Sequence, residues 1–294
     1  MDSFSKWVMD KFGGNSVKEA IEKEVNRLIF ETRQQKFPVK LSEIAKKIGI
    51  NPIPIYQNQS SWGQLLEMNN EFRISLKIKS GKPPSIYWSG YPMLRYAYAH
   101  ELIHSFFYTN KPPTRIAPIP KEKQEETLCN YGASFMLLPK SLLKEFLQNT
   151  DANIVSVAKE LSAKSYVSLH SCFIRLINED FFEEKINKLY ILSTINEGYQ
   201  NSGKRKPRCL ISIIYNDEKK RKFFLPTYKG LDSISESWSL LNYHKNGYLN
   251  ARVYVQNEYI EFGKNKYIIN GKHELINSTY VWSDLHIQEL QQWL

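Results

Sequence analysis

Apolar residues in the N-terminal third recur at three- and four-residue intervals. Val17, Ala20, Ile21, Val25, Leu28 and Ile29 predict an amphipathic helix over 16–35, with Ser16 and the Lys18-Glu19 pair suited to its first turn. A shorter helix is expected from Ser42, which can cap it, to Gly49, which sits where a helix C-cap belongs. Pro52 and Pro54 stop it, and Ile53 and Ile55 turn the chain extended. Phe72 to Lys79 alternates apolar and polar without a break, the period of a half-buried strand, and Ile86-Tyr87-Trp88 offers a second. After Pro92 a helix carries Met93, Leu94, Tyr96, Ala97, Leu102, Ile103 and Phe106. Residues 109–120, with Pro112, Pro113, Pro118 and Pro120, are expected to be loop. Helices follow over 122–138 and 140–147, then two more within 151–178, split near 162–165.

From Lys188 the pattern shortens. Segments 189–192, 209–215, 222–225, 251–255, 259–262 and 267–269 read as strands separated by turns, closed by a helix around 283–294. The expected fold class is α+β, in three parts. A domain of helices plus a small sheet is expected over 1–148. A helical segment over 149–187 has helix-turn-helix character. Residues 188–294 are expected to form a separate β-rich α/β domain.

With 42% hydrophobic and 13% aromatic residues over 294 positions, the chain has ample material for packed cores. Cys129, Cys172 and Cys209 are an odd set without paired spacing, so neither a disulfide framework nor a Cys-type zinc site is indicated. The first 14 residues lack the apolar run of a signal peptide, and no stretch of about 18 apolar residues suggests a membrane span. A cytoplasmic location and no membrane partner are expected. The net charge of +10 favours nucleic acid or an acidic partner, although lysine-rich solubility accounts for it equally well.

The chemistry concentrates in His100-Glu101-Leu102-Ile103-His104. On a helix, residues four apart share a face, so both imidazoles can grip one divalent ion while the intervening carboxylate reaches the same side. Neutral imidazole is a good zinc ligand, and a carboxylate beside the metal can take a proton from water. Five residues alone are a small pattern, met by chance in roughly one chain in a hundred of this length. Catalytic zinc takes a third protein ligand. Glu126 is well placed for this on the next helix, beyond the proline-rich loop, and Glu125 and Glu122 are neighbours that spacing leaves open. Asn130, one turn after Glu126, can accept the free ring N–H of a ligating histidine.

The block Arg95-x-x-x-Ala99-His100-Glu101-x-x-His104, followed by Glu126-x-x-Cys129-Asn130-x-x-Ala133 running to Leu137-Leu138-Pro139, resembles the ImmA/IrrE metallopeptidase family. The upstream stretch Phe37-Pro38-Val39 to Ile48-Gly49-Ile50 matches as well, so the likeness covers roughly 30–140. Cys129 stands where that family usually has Ala, and Gly132 where an aromatic is common. The resemblance implies a zincin-like metallopeptidase domain over 1–148 and a GAF-like sensor or interaction domain over 188–294. It implies a gluzincin-like site, with His100, His104 and Glu126 on Zn2+ (Mn2+ is the other ion weighed) and Glu101 as general base. It further implies a cytoplasmic endopeptidase whose protein substrate is a helix-turn-helix repressor, cleaved to release stress, mobile-element or defence genes. The substrate would add as a strand to a sheet edge, from 72–79 or 86–88. Tyr98 and Tyr108 are available to stabilise the oxyanion, and the pattern does not choose between them.

The alternative is a DNA-binding transcriptional regulator whose peptidase-like domain is inert. Residues 156–162 and 167–176 could form a helix-turn-helix that carries His170 and Arg175 outward, or a hairpin that only packs. The basic clusters 204–208 and 219–222 could touch phosphate or be solvated turns. His273-Glu274-Leu275-Ile276-Asn277 echoes the motif without its second imidazole, and His244 and His286 are isolated.

Overall fold

In the computed structural model the described residues are 1–78, 90–148, 154–178, 188–194, 209–215, 252–262, 265–276 and 280–289. The expected strands at 86–88 and 222–225, both basic clusters and His244 lie outside them. The chain divides into two compact units, Met1–Glu179 and Asp180–Leu294, and its fold is α+β.

The first unit opens with a helix not anticipated from the pattern, α1 (Ser3–Phe12), capped by the Asp2 side chain. Helix α2 (Val17–Glu31) is capped by Ser16, as its sequence suggests, and buries the five apolar residues Ala20, Ile21, Val25, Leu28 and Ile29. Helix α3 (Leu41–Lys47) begins one residue earlier than expected. Its capping position is Lys40, without a side-chain cap, so Ser42 lies inside the first turn. Gly49 follows with φ +80°, the left-handed turn that glycine adopts without steric cost.

Three strands form the sheet that matters for the site. These are β1 (Ile55–Gln57), β2 (Gly63–Met68) and β3 (Glu71–Lys77), in the order β1-β3-β2, with β1 parallel and β2 antiparallel to β3. The alternating segment is therefore the central strand, with both ladders occupied, and cannot be the edge that accepts another chain. Among the described residues the sheet has two edges, β1 and, on the side of the site, β2. The β2 sequence, Gly-Gln-Leu-Leu-Glu-Met, does not alternate, which hid it from periodicity.

Helix α4 (Pro92–His104) starts with proline at its first position, where no N–H is needed, and passes at His104 into a 3-10 turn over Ser105–Phe107. Seven of its residues are buried, and past its first turn only the face of Tyr96, His100 and His104 is left open, so the helix runs through the core. The proline-rich stretch after it is not all loop: β4 (Tyr108–Asn110) and β5 (Pro113–Arg115) pair as a short hairpin. Helix α5 (Gln124–Leu137) then returns against α4. At Gly132 an added Cβ would lie 2.9 Å from both Ile103 Cδ1 and Ile21 Cγ2, so the absent side chain lets α5 approach α4 and α2 closely. Helices α6 (Lys140–Gln148), α7 (Ile154–Ser165) and α8 (Leu169–Asn178) complete the unit. The break between the last two falls at Tyr166, with φ +53°, rather than within 162–165.

In the second unit the described residues form one antiparallel sheet, β7-β6-β10-β9-β8. Its strands are β6 (Lys188–Thr194), β7 (Cys209–Tyr215), β8 (Arg252–Phe262), β9 (Asn265–Leu275) and β10 (Tyr280–Glu289). The helix expected around 283–294 is β10 as far as Glu289. Val281, Ser283 and Leu285 are buried at period two, and ladders to β6 and β9 take up the backbone on both sides. His273 lies on β9, not on a helix, and its Nδ1 is 2.8 Å from Ser283 Oγ.

Candidate metal centre

Helix α4 sets His100 and His104 one turn apart, with their Nε2 atoms 3.1 Å from each other. From α5, Glu126 brings Oε2 to 3.2 Å from His100 Nε2 and Oε1 to 3.1 Å from His104 Nε2. Around a tetrahedral zinc with bonds of about 2.0–2.1 Å, neighbouring N and O donors stand roughly 3.3–3.4 Å apart. The three donors thus already surround a common point at nearly that spacing. The residues fit a divalent ion. Glu122 precedes α5 and is exposed.

Glu125 faces another way. One oxygen is 2.8 Å from His104 Nδ1 and the other accepts from Arg115 Nη2 at 2.6 Å. An ionised carboxylate only accepts, so Nδ1 carries the hydrogen and Nε2 keeps its lone pair for a ligand. Burial alone would raise the Glu125 carboxyl, but the hydrogen bonds from His104 and Arg115 outweigh it and hold it below its ordinary range. Burial would likewise lower His104, and the bond to Glu125 reverses the sign. His100, with burial and the His104 charge against it, is lowered. The Asn130 side chain hydrogen-bonds His100, and its Oδ1 also accepts from Tyr96 Oη at 2.8 Å.

Glu101 lies between the histidines in sequence and beneath β2 in space. It is 7% exposed, and burial pushes its carboxyl up to about 7, with Glu126 adding to the rise while His104 and the Leu65 N–H oppose it. Gly63 makes the approach possible, since a Cβ there would meet Glu101 Oε1 at 3.0 Å and Ala97 Cβ at 3.2 Å. Above these groups opens a cleft of about 640 Å³ whose walls include β2, Trp62, Phe72 and Tyr108 as well as the histidines and Glu126.

The two tyrosines named from sequence separate. Tyr98 is fully buried and donates to the Pro52 carbonyl at 3.0 Å, so it ties α4 to the 52–54 turn and does not serve the cleft. Tyr108 lines the cleft, with Arg115 donating to its hydroxyl at 3.0 Å. Arg175 also departs from expectation: it is 5% exposed and donates to the Leu138 carbonyl at 3.1 Å, while His170 is half-buried. The α7–α8 pair therefore packs its arginine inward. Cys129, one turn past Glu126, is fully buried, and its sulfur lies with the ligand atoms of His100 and His104 in a group spanning no more than 4.8 Å. Burial, with Glu125, Glu126 and Glu101 nearby, pushes its thiol well above the ordinary value.

Glu125 as partner of Nδ1, Arg115 behind it, Tyr96 on Asn130 and Gly63 above Glu101 were not found from sequence. The adjacent pair Glu125-Glu126 was the one available signal: neighbours on a helix point about 100° apart and so serve different groups.

No known family model and no curated protein matches the chain. Among solved structures a Mycobacterium tuberculosis transcriptional regulator is similar at 11% identity and a TM-score of 0.43, over 91% of this chain and 75% of that one. A likeness so distant carries no argument about chemistry. Among the described residues, no helix is long and apolar enough to cross a membrane.

Proposed function

We propose that the chain is a zinc-dependent endopeptidase acting on a protein substrate. The carrying observation is the triangle of His100 Nε2, His104 Nε2 and a Glu126 oxygen pair at 3.1–3.2 Å, with Glu101 buried beside it. Zinc bound there supplies a Lewis acid for the scissile carbonyl and for water. Glu101, with a carboxyl poised near 7, takes the proton of the attacking water and returns one to the leaving amine. Glu125 fixes the His104 tautomer, and Asn130 with Tyr96 steadies His100. The edge of β2, unpaired among the described residues, offers main-chain groups to an extended peptide along the cleft. The resemblance to the ImmA/IrrE family supplies the substrate class, a helix-turn-helix repressor, and the cytoplasmic setting.

The test is incubation of the full-length chain with the repressor encoded by the neighbouring gene, with and without chelator. Cleavage that chelation abolishes, and that Glu101→Gln lowers by about 10²–10⁴-fold while the metal is retained, is the expected result. Salt-dependent binding to duplex DNA without any cleavage points instead to a transcriptional regulator with an inert peptidase-like unit. The inward Arg175 removes one phosphate contact from that reading.

A further inference from the structure

Cys129 sits one turn beyond Glu126 on α5, on the face that meets α4. It is fully buried, and among the described residues no hydrogen bond holds its thiol. Its sulfur belongs to a compact donor group with His100 and His104, all within 4.8 Å of one another. Glu126 completes the centre from the opposite environment, with its side chain 60% exposed. The two histidines are thus offered an oxygen donor on the solvent side and a sulfur donor on the core side. A buried, unbonded sulfur beside two imidazoles has the composition of a zinc site, since thiolate and imidazole are the usual partners of that ion.

We infer that Cys129 is a fourth protein ligand for the metal held by His100 and His104, giving this centre a sulfur-bound form. The inference rests on the metal centre proposed above. On binding, a sulfur–metal bond forms and the thiol proton leaves to solvent. Four protein donors leave no open position, so the sulfur-bound form is a resting form. A soft thiolate also favours zinc and cobalt over manganese.

Cobalt(II) titrated into the metal-free full-length chain reads the ligands directly. The expected spectrum shows the visible bands of a four-coordinate site together with a near-ultraviolet sulfur-to-cobalt charge-transfer band. Cys129→Ser and Cys129→Ala each lose the charge-transfer band and keep the visible ones. A Cys172→Ala, Cys209→Ala double variant keeps both, which decides the matter even if the Cys129 variants fold poorly. Visible bands without charge transfer in the unmodified chain overturn the role of Cys129 and leave the centre standing. Charge transfer that survives in Cys129→Ser overturns it too. Failure of the unmodified chain to bind cobalt removes the centre itself, and the inference with it.

Discussion

His104 is gripped at both ring nitrogens. Glu125 takes Nδ1 while Nε2 points at Glu126 and His100, so the ring cannot turn without losing a charge-assisted bond. Arg115 keeps Glu125 ionised for this role, through a 2.6 Å contact in a setting only 12% exposed on the glutamate side. Removing that carboxylate leaves the ligands in place but frees the tautomer and takes from Arg115 its one carboxylate partner among the described residues, leaving it the Tyr108 hydroxyl and the Ala117 and Pro118 carbonyls. Glu125→Ala is therefore expected to weaken zinc binding by about 10–100-fold, as loss of an outer partner typically does, in competition with a chromophoric chelator. His104→Ala is expected to lose the metal altogether. Equal zinc affinity in Glu125→Ala and the unmodified chain would show that the His104–Glu125 bond is incidental.

Helix α5 works only if it lies close to α4, and Gly132 sets that distance. Ala at 132 gains about 1 kcal/mol in helix propensity but forces Ile103 and Ile21 aside, and overpacking a filled core costs about 1–3 kcal/mol. The expected net is a loss of about 1 kcal/mol in urea unfolding, with zinc affinity falling as well because Ile103 adjoins His104. Helix α1 reaches the same site from its other end. Asp2 caps it and also accepts from Gln124, the first residue of α5. Hydrogen bonds from Ser5 hold the Asp2 carboxyl down at about 2. A depressed folded value means that the stabilisation is present above the ordinary 3.8 and is lost as pH falls towards 2. Asp2→Asn should accordingly unfold at lower urea than the unmodified chain near neutrality, and the gap should close towards pH 2. Elements with strong period, such as α2 and β3, were legible in the sequence because burial on one face wrote the pattern. Strand β2 and the β4–β5 hairpin were not, because a few ladder bonds hold them, with α4 against the first and the 105–107 turn against the second, and none of these leaves a repeat. Strand β10 misled for a related reason. Its apolar residues suit a helix, and pairing on both sides decided otherwise.

The whole chain carries +10, yet the cleft in its first unit is walled by Glu67, Glu101, Glu125 and Glu126, with no lysine or arginine among its described lining residues. A basic total and an acidic cleft are different facts about the molecule. The first acts at long range on nucleic acid and other anions, and the second selects what enters next to the histidines. The residues named at the site, His100, Glu101, His104, Arg115, Glu125, Glu126, Cys129 and Asn130, all belong to Met1–Glu179. The sequence made that concentration visible, since its motif residues fall between 95 and 139, while for 188–294 it offered only a GAF-like sensing or interaction domain, because the basic clusters there suit solvated turns as well as phosphate. A chain ending at Glu179 is therefore expected to bind one zinc with the affinity of the full-length protein. The check is metal analysis of the fragment after gel filtration, alongside circular dichroism to establish that its helices are intact. A folded fragment that emerges without zinc would mean that residues 180–294 complete or hold the centre, and the donor set assigned to the first unit would have to be enlarged.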